Sequence, residues 1–186
     1  MRKNVLIAAA TVSLLSACGE RAAENQAQVT AANNARATPA AAESSAPPAA
    51  PATKEEAQKI MHERHEGMEQ IGKSTKAIGA QLKEDEPNIG IIRTNATKIS
   101  ELAARSANWF PAGTGPDVGK TRAKVEIWQK YEDFAAKDAD FRKAAQSLKG
   151  LADSADVNAI RTAFAAMGKT CKACHDSYRT EKKEHD

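Results

Sequence analysis

Three residues near the end of the chain have types and spacing that could do chemistry together: Cys171, Cys174 and His175, in the stretch Cys-Lys-Ala-Cys-His. Two thiols three residues apart can add to the two vinyl groups of one porphyrin. The histidine beside the second thiol can then present a neutral ring nitrogen to the iron. This CxxCH pattern is the attachment motif of haem c. The sequence therefore predicts covalently bound haem c, attached at Cys171 and Cys174 and ligated by His175.

The same cysteines have other interpretations. A structural zinc site needs four ligands, and the sequence contains only one CxxC pair. A thioredoxin-like redox motif lies in a βαβ pattern, and the residues around Cys171 lack the alternation of a strand. A third hypothesis is a structural lipoprotein in which CxxCH arises by chance. That hypothesis predicts no haem after expression with a c-type maturation system.

The beginning of the chain has the pattern of a secretory signal. Two basic residues precede an apolar run from Val5 to Leu15, which is too short to span a bilayer. The run ends in Leu-Ser-Ala-Cys, residues 15–18, which resembles the lipobox of bacterial lipoproteins. We therefore expect a lipoprotein signal peptide over residues 1–17 and a lipid anchor on Cys18. An ordinary signal peptide with a chance cysteine is the alternative.

The compartment follows from this signal. Gly19 stands after Cys18 where an aspartate would favour retention at the inner membrane, so we expect a periplasmic protein anchored by lipid to a bacterial membrane, with the outer membrane favoured. The three cysteines are then all assigned, one to lipid and two to haem. No pair is left for a structural disulfide, so the fold must depend on packing and cofactor.

Charge and motif content exclude several classes of function. Removing the signal takes two of the 27 basic residues and none of the 24 acidic ones, so the mature chain has 25 basic against 24 acidic residues. A near-neutral chain gives no support for nucleic-acid binding, which needs a clustered basic face. The sequence also contains no nucleophilic triad, phosphate-binding glycine loop or carboxylate dyad. We therefore predict a carrier or binder and not an enzyme.

The residues after the signal divide into a tether and one domain. Residues 18–53 are rich in Ala, Asn, Gln, Ser and Pro, and Val29 is their only branched apolar residue. Such a segment buries too little apolar surface to offset its ordering entropy, so we predict a disordered, lipid-anchored tether. Residues 54–186 have the length of a single domain with one core.

Helical periodicity runs through the domain. A first helix is predicted from apolar intervals of three and four, and a second opens at Glu86-Pro87, with proline in a permitted first-turn position. The face of the first helix is formed by Ile60, Arg64, Met68, Ile71, Thr75, Ile78 and Leu82. The face of the second is formed by Ile92, Ala96, Ile99, Ala103 and Ser106.

A long connection and two more helices complete the prediction. The glycines and prolines in residues 110–125 are typical of an irregular crossover loop. A third helix carries Phe134, Phe141, Ala145, Leu148 and Ala152, and a fourth, capped by Ser154 or Asp156, carries Val157, Ile160, Phe164, Met167 and Cys171. Four amphipathic helices predict an all-α fold, an antiparallel four-helix bundle with haem c attached on the C-terminal helix.

The domain resembles a known family, the class II c-type cytochromes, which comprise cytochrome c prime and its low-spin relatives. The resemblance is carried by Cys171–Arg179 close to the C-terminus, where class I cytochromes have their motif near the start. It is also carried by Phe110–Gly115 with Lys120–Trp128, and by Arg64 followed four residues later by Met68. It covers the chain from about residue 53 onward and neither the signal nor the tether.

This resemblance makes Met68 the residue that decides function, because its position faces the iron opposite His175. In low-spin relatives a methionine there is the sixth ligand, which gives an electron carrier with a raised reduction potential. In cytochrome c prime the equivalent side chain only packs over a five-coordinate iron. The pocket then admits nitric oxide or carbon monoxide. The resemblance also implies that Arg64 pairs with a haem propionate, and that Arg179 lies near the proximal imidazole.

The function predicted is one-electron transfer in the periplasm, with His175 and Met68 as axial ligands and redox proteins as partners. Gas binding by a five-coordinate haem is the alternative. Contact with the membrane is expected only through the lipid on Cys18. Relatives often pair through their first two helices, so the resemblance allows a homodimer, but the sequence has no exposed apolar stripe large enough to predict one.

Overall fold

The structure is a computed structural model that describes residues 46–181. Cys18, the predicted signal and most of the predicted tether lie outside the described residues. The helices are α1 (Lys54–Gln81), α2 (Ile89–Ser106), α3 (Glu126–Gln129), α4 (Tyr131–Ser154) and α5 (Val157–Tyr178). Within the described part of the chain the only other pairing is an isolated bridge between Ala123 and Arg179. The predicted all-α fold is confirmed, and the one-turn helix α3 is an addition to it.

Local chemistry defines where the long helices begin. At the start of α1 the hydroxyl of Thr53 accepts from the backbone N–H of Glu56 at 3.1 Å, while the Glu56 carboxylate accepts from the N–H of Thr53 at 3.2 Å. This reciprocal pair is a capping box, and it satisfies two backbone donors that the first turn leaves open. Of the two residues predicted to cap the last helix, Asp156 does so, since it accepts from Asn158 and Ala159.

The four long helices pack as an antiparallel bundle. Close backbone packing joins α1 to α2, α2 to α4 and α4 to α5, whereas α1 and α5 lack such packing with each other in the described chain. The apolar positions predicted for α2 are all buried, and so are the five predicted for α4. The core between these helices is therefore continuous, and the contact between α1 and α5 is the weak side of the bundle.

The buried stripe of α1 agrees with the predicted one at Arg64, Ile71 and Ile78 and differs from it at other positions. Its centre is formed by Ala57, Met61, Arg64, Gly67, Ile71, Ser74 and Ile78. Three residues predicted to line that stripe, Ile60, Met68 and Thr75, are only half-buried. Met68 and Thr75 are seven residues apart and therefore lie along one flank of α1, which the protein itself leaves incompletely covered.

The two ends of the bundle are closed differently. At the end where α1 finishes, the guanidinium of Arg161 on α5 donates to the carbonyl oxygen of Leu82. At the opposite end the irregular segment between α2 and α3 covers the helix termini. Residues 46–52 run along this segment, and the N–H of Ala112 donates to the carbonyl of Pro48 at 3.0 Å. No helix in the described range is both long enough and apolar enough to cross a membrane.

Candidate haem site

The three motif residues lie together on the last two turns of α5. Cys171 and Cys174 are one turn apart, and His175 is four residues after Cys171, so all three project from neighbouring positions of one helix face. All three are half-buried, and both cysteines contact the apolar core as free thiols. A flat group attached to both sulfurs would therefore lie along α5, with its other surface toward the rest of the bundle.

Burial determines the protonation of these groups in the protein alone. It raises the pKa of the Cys171 thiol and raises that of Cys174 to about 11, so both are neutral thiols at neutral pH. Burial, with added repulsion from Arg179 and Arg122, lowers the pKa of His175 to about 4. Its imidazole is therefore neutral at physiological pH, which is the form that can donate a ring lone pair to iron.

The free thiols and the neutral imidazole fit a haem c. The thiols are unpaired with each other, they contact the core, and they stand at the helical spacing that two thioether bonds require. The donor set is also incomplete for a structural zinc site, because two cysteines and one histidine make three ligands where four are needed.

Met68 lies on the uncovered flank of α1 and packs against the same apolar core as Cys171 and Cys174. Its neighbour Gly67 is buried, and the indole of Trp109 lies directly over it. Two histidines of α1, His62 and His65, are exposed, and His65 is 3.5 Å from the carboxylate of Glu69. The structure therefore separates these histidines from the half-buried methionine.

Arg64 is buried, with 5% of its surface exposed, one turn before Met68. Its Nη1 donates to the carbonyl oxygen of Trp109 at 3.2 Å and to the hydroxyl of Thr114 at 3.3 Å. Its Nη2 donates to the carbonyl oxygen of Thr114 and to the hydroxyl of Thr121, both at 3.1 Å. Burial lowers the pKa of Arg64 to about 10, so the guanidinium stays charged at neutral pH. Its four terminal N–H groups thus all bond to the segment between α2 and α3.

The C-terminal end of α5 is held by the same segment. The N–H of Lys124 donates to the carbonyl oxygen of Tyr178 at 3.0 Å, and the N–H of Thr180 donates to that of Arg122 at 2.9 Å. The guanidinium of Arg122 returns to the Thr180 carbonyl oxygen, at 3.1 Å from Nε and 2.6 Å from Nη2. Sequence reasoning missed these contacts because neither strand of so short a pairing has a periodic pattern.

Tyr178 adds a second anchor at this end of α5. Only 4% of its surface is exposed, and its ring meets that of Phe134 on α4 edge to face, with 5.4 Å between centroids. Its hydroxyl donates to the carboxylate of Asp133 at 2.5 Å. The turn that carries His175 is therefore fastened to α4 on one side and to the segment between α2 and α3 on the other.

Fold and motif together define a haem c protein built on a four-helix bundle, of the kind that carries electrons or binds small ligands. The family model described as Cytochrome C' matches residues 59–179, and the chain belongs to this family, whose members bind covalently attached haem c. A curated relative, cytochrome c' of Rhodospirillum rubrum, is 35% identical over 106 residues, which are 57% of this chain and 71% of the relative.

Solved structures agree with this assignment. Cytochrome c prime from Shewanella frigidimarina superimposes with a TM-score of 0.63 at 34% identity, covering 68% of this chain and 98% of that one. A variant of cytochrome c prime from Alcaligenes xylosoxidans with bound nitric oxide has a TM-score of 0.62 at 27% identity, covering 72% of this chain and 100% of that one. The four-helix architecture predicted from periodicity is thus the architecture of the family.

Proposed function

We propose that this protein is a periplasmic one-electron carrier in which haem c is attached through Cys171 and Cys174 and ligated by His175 and Met68. The haem supplies an iron that exchanges one electron, and the protein supplies attachment, burial and axial ligands. The neutral state of His175 supports its role as the proximal ligand. The position of Met68 supports its role as the distal ligand.

The observation that carries the proposal is the difference between Met68 and two other methionines of the bundle. Met167 is fully enclosed and Met61 is 8% exposed, as expected of methionines that fill a core. Met68 is only half-buried, although it contacts the same core cluster as the motif cysteines. A thioether that the protein leaves partly uncovered beside a haem attachment site is available to bind iron, and such ligation raises the reduction potential.

The second candidate is a five-coordinate haem that binds nitric oxide or carbon monoxide. It is favoured by the relative from Alcaligenes xylosoxidans, whose structure holds nitric oxide. In this candidate Met68 packs over the iron without binding it, and His175 is the only protein ligand. The two candidates share every residue and differ only in whether the Met68 sulfur reaches the iron.

We further propose the targeting that the start of the sequence predicts: a signal peptide over residues 1–17, a lipid on Cys18, a tether to residue 53 and a domain over residues 54–186. A lipid anchor would keep the domain at a membrane of the periplasm while leaving the bundle free to meet redox proteins. Stable anchoring needs more than one acyl chain, which a lipidated cysteine provides.

The visible spectrum of the haem-loaded protein tests the proposal. We expect a low-spin spectrum in both oxidation states, and we expect Met68→Ala and Met68→Leu to convert it to a high-spin one because both remove the sulfur. Met61→Leu is the matched control and should leave the spectrum unchanged. A high-spin wild-type spectrum that Met68→Ala does not alter, with rapid binding of carbon monoxide, would reject the electron carrier in favour of the gas binder.

A further inference from the structure

We propose that residues 107–125 form a brace between α1 and α5, and that Arg64 is a positioning residue that acts through this brace to set the distance between Met68 and His175. The inference rests on the proposed function in one respect, the roles of Met68 and His175 on opposite sides of the haem. The brace itself is a property of the protein alone. Its two ends are separate sets of contacts, and the link between them shares the bond from Arg64 to Thr121 with the first end.

The first end of the brace contacts α1 at two residues in the turn before Met68, Arg64 and Gly67. Arg64 gives its four terminal N–H groups to Trp109, Thr114 and Thr121, at 3.1 to 3.3 Å. Its guanidinium also lies over the ring of Phe110, 4.9 Å from the centroid. Charge-assisted hydrogen bonds of a planar guanidinium are directional, so they fix the orientation of the segment as well as its distance from α1.

Gly67 provides the second grip at this end. A Cβ atom at position 67 would lie 2.3 Å from Cη2 of Trp109, so the indole contacts the helix backbone directly. Trp109 is 3% exposed and therefore has little freedom to move aside. The residue next to Met68 is thus in direct contact with the same segment that Arg64 holds.

The other end of the brace holds α5 just beyond His175. Two backbone hydrogen bonds form a short antiparallel pairing here, from Lys124 to Tyr178 and from Thr180 to Arg122. The Arg122 guanidinium adds two further hydrogen bonds to the carbonyl oxygen of Thr180. Tyr178 is three residues after His175, so the pairing begins within one turn of the proximal ligand. A shift of residues 122–124 relative to α1 must therefore also shift this turn.

The link between the two ends is short. The hydroxyl of Thr121 accepts from Nη2 of Arg64 and also from the N–H of Ala123, both at 3.1 Å. Ala123 is the residue that pairs with Arg179 after α5. One hydroxyl group therefore joins the helix that carries Met68 to the pairing that holds the helix that carries His175. Because α1 and α5 lack close backbone packing with each other, this link connects them directly at this end of the bundle, in addition to the indirect route through α2 and α4.

The role proposed here for Arg64, which is to position the brace, differs from pairing with a haem propionate. The acceptors of its terminal N–H groups are two backbone carbonyls and two hydroxyls of one segment. Loss of Arg64 should therefore loosen contacts with partners 45 to 57 residues away in sequence, and with them the pairing after α5. A propionate partner would instead affect the haem without affecting that pairing.

Amide hydrogen exchange on the full haem-loaded protein tests the brace. In Arg64→Met we expect the N–H groups of Lys124 and Thr180 to exchange at least about tenfold faster. Local opening of their pairing would no longer require the hydrogen bonds of the guanidinium to break. Thr121→Val should have the same effect with a smaller loss of stability. It therefore tests the brace even if Arg64→Met does not fold. Arg64→Lys should be intermediate, because a single ammonium cannot serve three residues in a fork.

Two controls separate this effect from general loss of stability. Arg93→Met removes an exposed arginine that lies 3.5 Å from Asp153, and should leave both amides unchanged. Leu148→Ala weakens the core and should speed exchange throughout the bundle without preference for Lys124 and Thr180. Unchanged exchange at these two amides in both Arg64→Met and Thr121→Val would overturn the brace.

The positioning role has its own readout. If the wild type is six-coordinate, we expect the high-spin fraction of the spectrum to rise in the same variants. If the wild type is already five-coordinate, we expect the association rate of carbon monoxide to change at least about threefold. Both effects follow because the space over the iron depends on the distance between Met68 and His175. Faster exchange with an unchanged spectrum and an unchanged rate would reject positioning and keep the brace. Met68→Ala alone decides the proposed ligation, so the two failures are distinguishable.

Discussion

The indole of Trp109 occupies the space that a side chain at position 67 would need, with Cη2 only 2.3 Å from where a Cβ atom on Gly67 would lie. The absence of a side chain at this point lets the segment between α2 and α3 approach the backbone of α1. The contact lies beside Met68, so it affects both the stability of the bundle and the position of Met68.

Gly67→Ala should therefore destabilise the protein although alanine favours helices. Trp109 is enclosed and cannot yield freely, and overpacking of this kind costs about 1–3 kcal/mol. Gly72→Ala on the exposed face of the same helix is the matched control, since nothing lies within 4 Å of its Cβ position. It should stabilise by about 0.5–1 kcal/mol. Denaturant unfolding measures both, and equal effects of the two substitutions would contradict the close contact.

A second prediction concerns the polar contact inside the interface of α2 and α4. The hydroxyl of Ser106 donates to Asp138 at 2.5 Å, and both residues are buried. Ser106→Ala removes one donor from a buried carboxylate and should cost about 1–3 kcal/mol of unfolding free energy. Ser177→Ala removes an exposed hydroxyl that donates to Ala173 at 3.4 Å, and should change stability by less than about 0.5 kcal/mol. A small effect of Ser106→Ala in calorimetry would mean that the carboxylate is satisfied without this bond.

The pH dependence of stability should report on Tyr178 and Asp133. The hydrogen bond from Tyr178, with a further one from Lys137, lowers the pKa of the Asp133 carboxyl below its ordinary value of 3.8. A carboxyl whose pKa is lower in the folded state stabilises the fold above the ordinary value. That contribution is lost as the pH falls through the ordinary value toward the lowered one.

Tyr178→Phe keeps the ring contact with Phe134 and removes the hydroxyl. We expect the pKa of Asp133 to rise toward 3.8, and the loss of stability between pH 5 and pH 2 to become less steep. Carboxyl NMR titration and urea unfolding at several pH values measure these two effects. Tyr131→Phe is the control, since Tyr131 lies on α4 two residues before Asp133. An Asp133 titration unaffected by Tyr178→Phe, or affected equally by the control, would show that the hydroxyl is not its principal partner.

Sequence reasoning succeeded where structure depends on local periodicity. Every apolar position predicted for α2 and α4 is buried, because a period of 3.6 residues identifies the inner face of a helix without knowledge of its neighbours. On α1 the same reasoning selected three half-buried residues, Ile60, Met68 and Thr75, together with the buried Arg64, Ile71 and Ile78. Gly67 is buried there because the indole of Trp109 packs directly against the helix backbone, which no periodicity encodes.

The candidate site shows the same difference between features that are local in sequence and features that depend on tertiary contacts. The three motif residues are close in sequence and lie on one helix, so a short pattern sufficed to place them together. The bonds of Arg64 join residues 45 to 57 positions apart, and their acceptors lie in a segment without regular structure. The position of Arg64 on an apolar face indicated that its charge has a structural reason. The partners that supply that reason depend on the tertiary fold.

We propose two chemistries for the three cysteines: haem attachment for Cys171 and Cys174, and lipidation for Cys18. Cys171→Ala with Cys174→Ala should abolish covalent haem, because no thiol remains to form a thioether, while each single variant should retain haem through one bond. Haem staining after denaturing electrophoresis measures this. Cys18→Ala should keep full haem content but lose the incorporation of labelled fatty acid and move from the membrane fraction to the soluble periplasmic fraction. The cysteines would then act independently, since those of the motif contact the core through α5 and Cys18 precedes the domain. Loss of haem in Cys18→Ala, or covalent haem persisting in the double variant, would contradict the assignment.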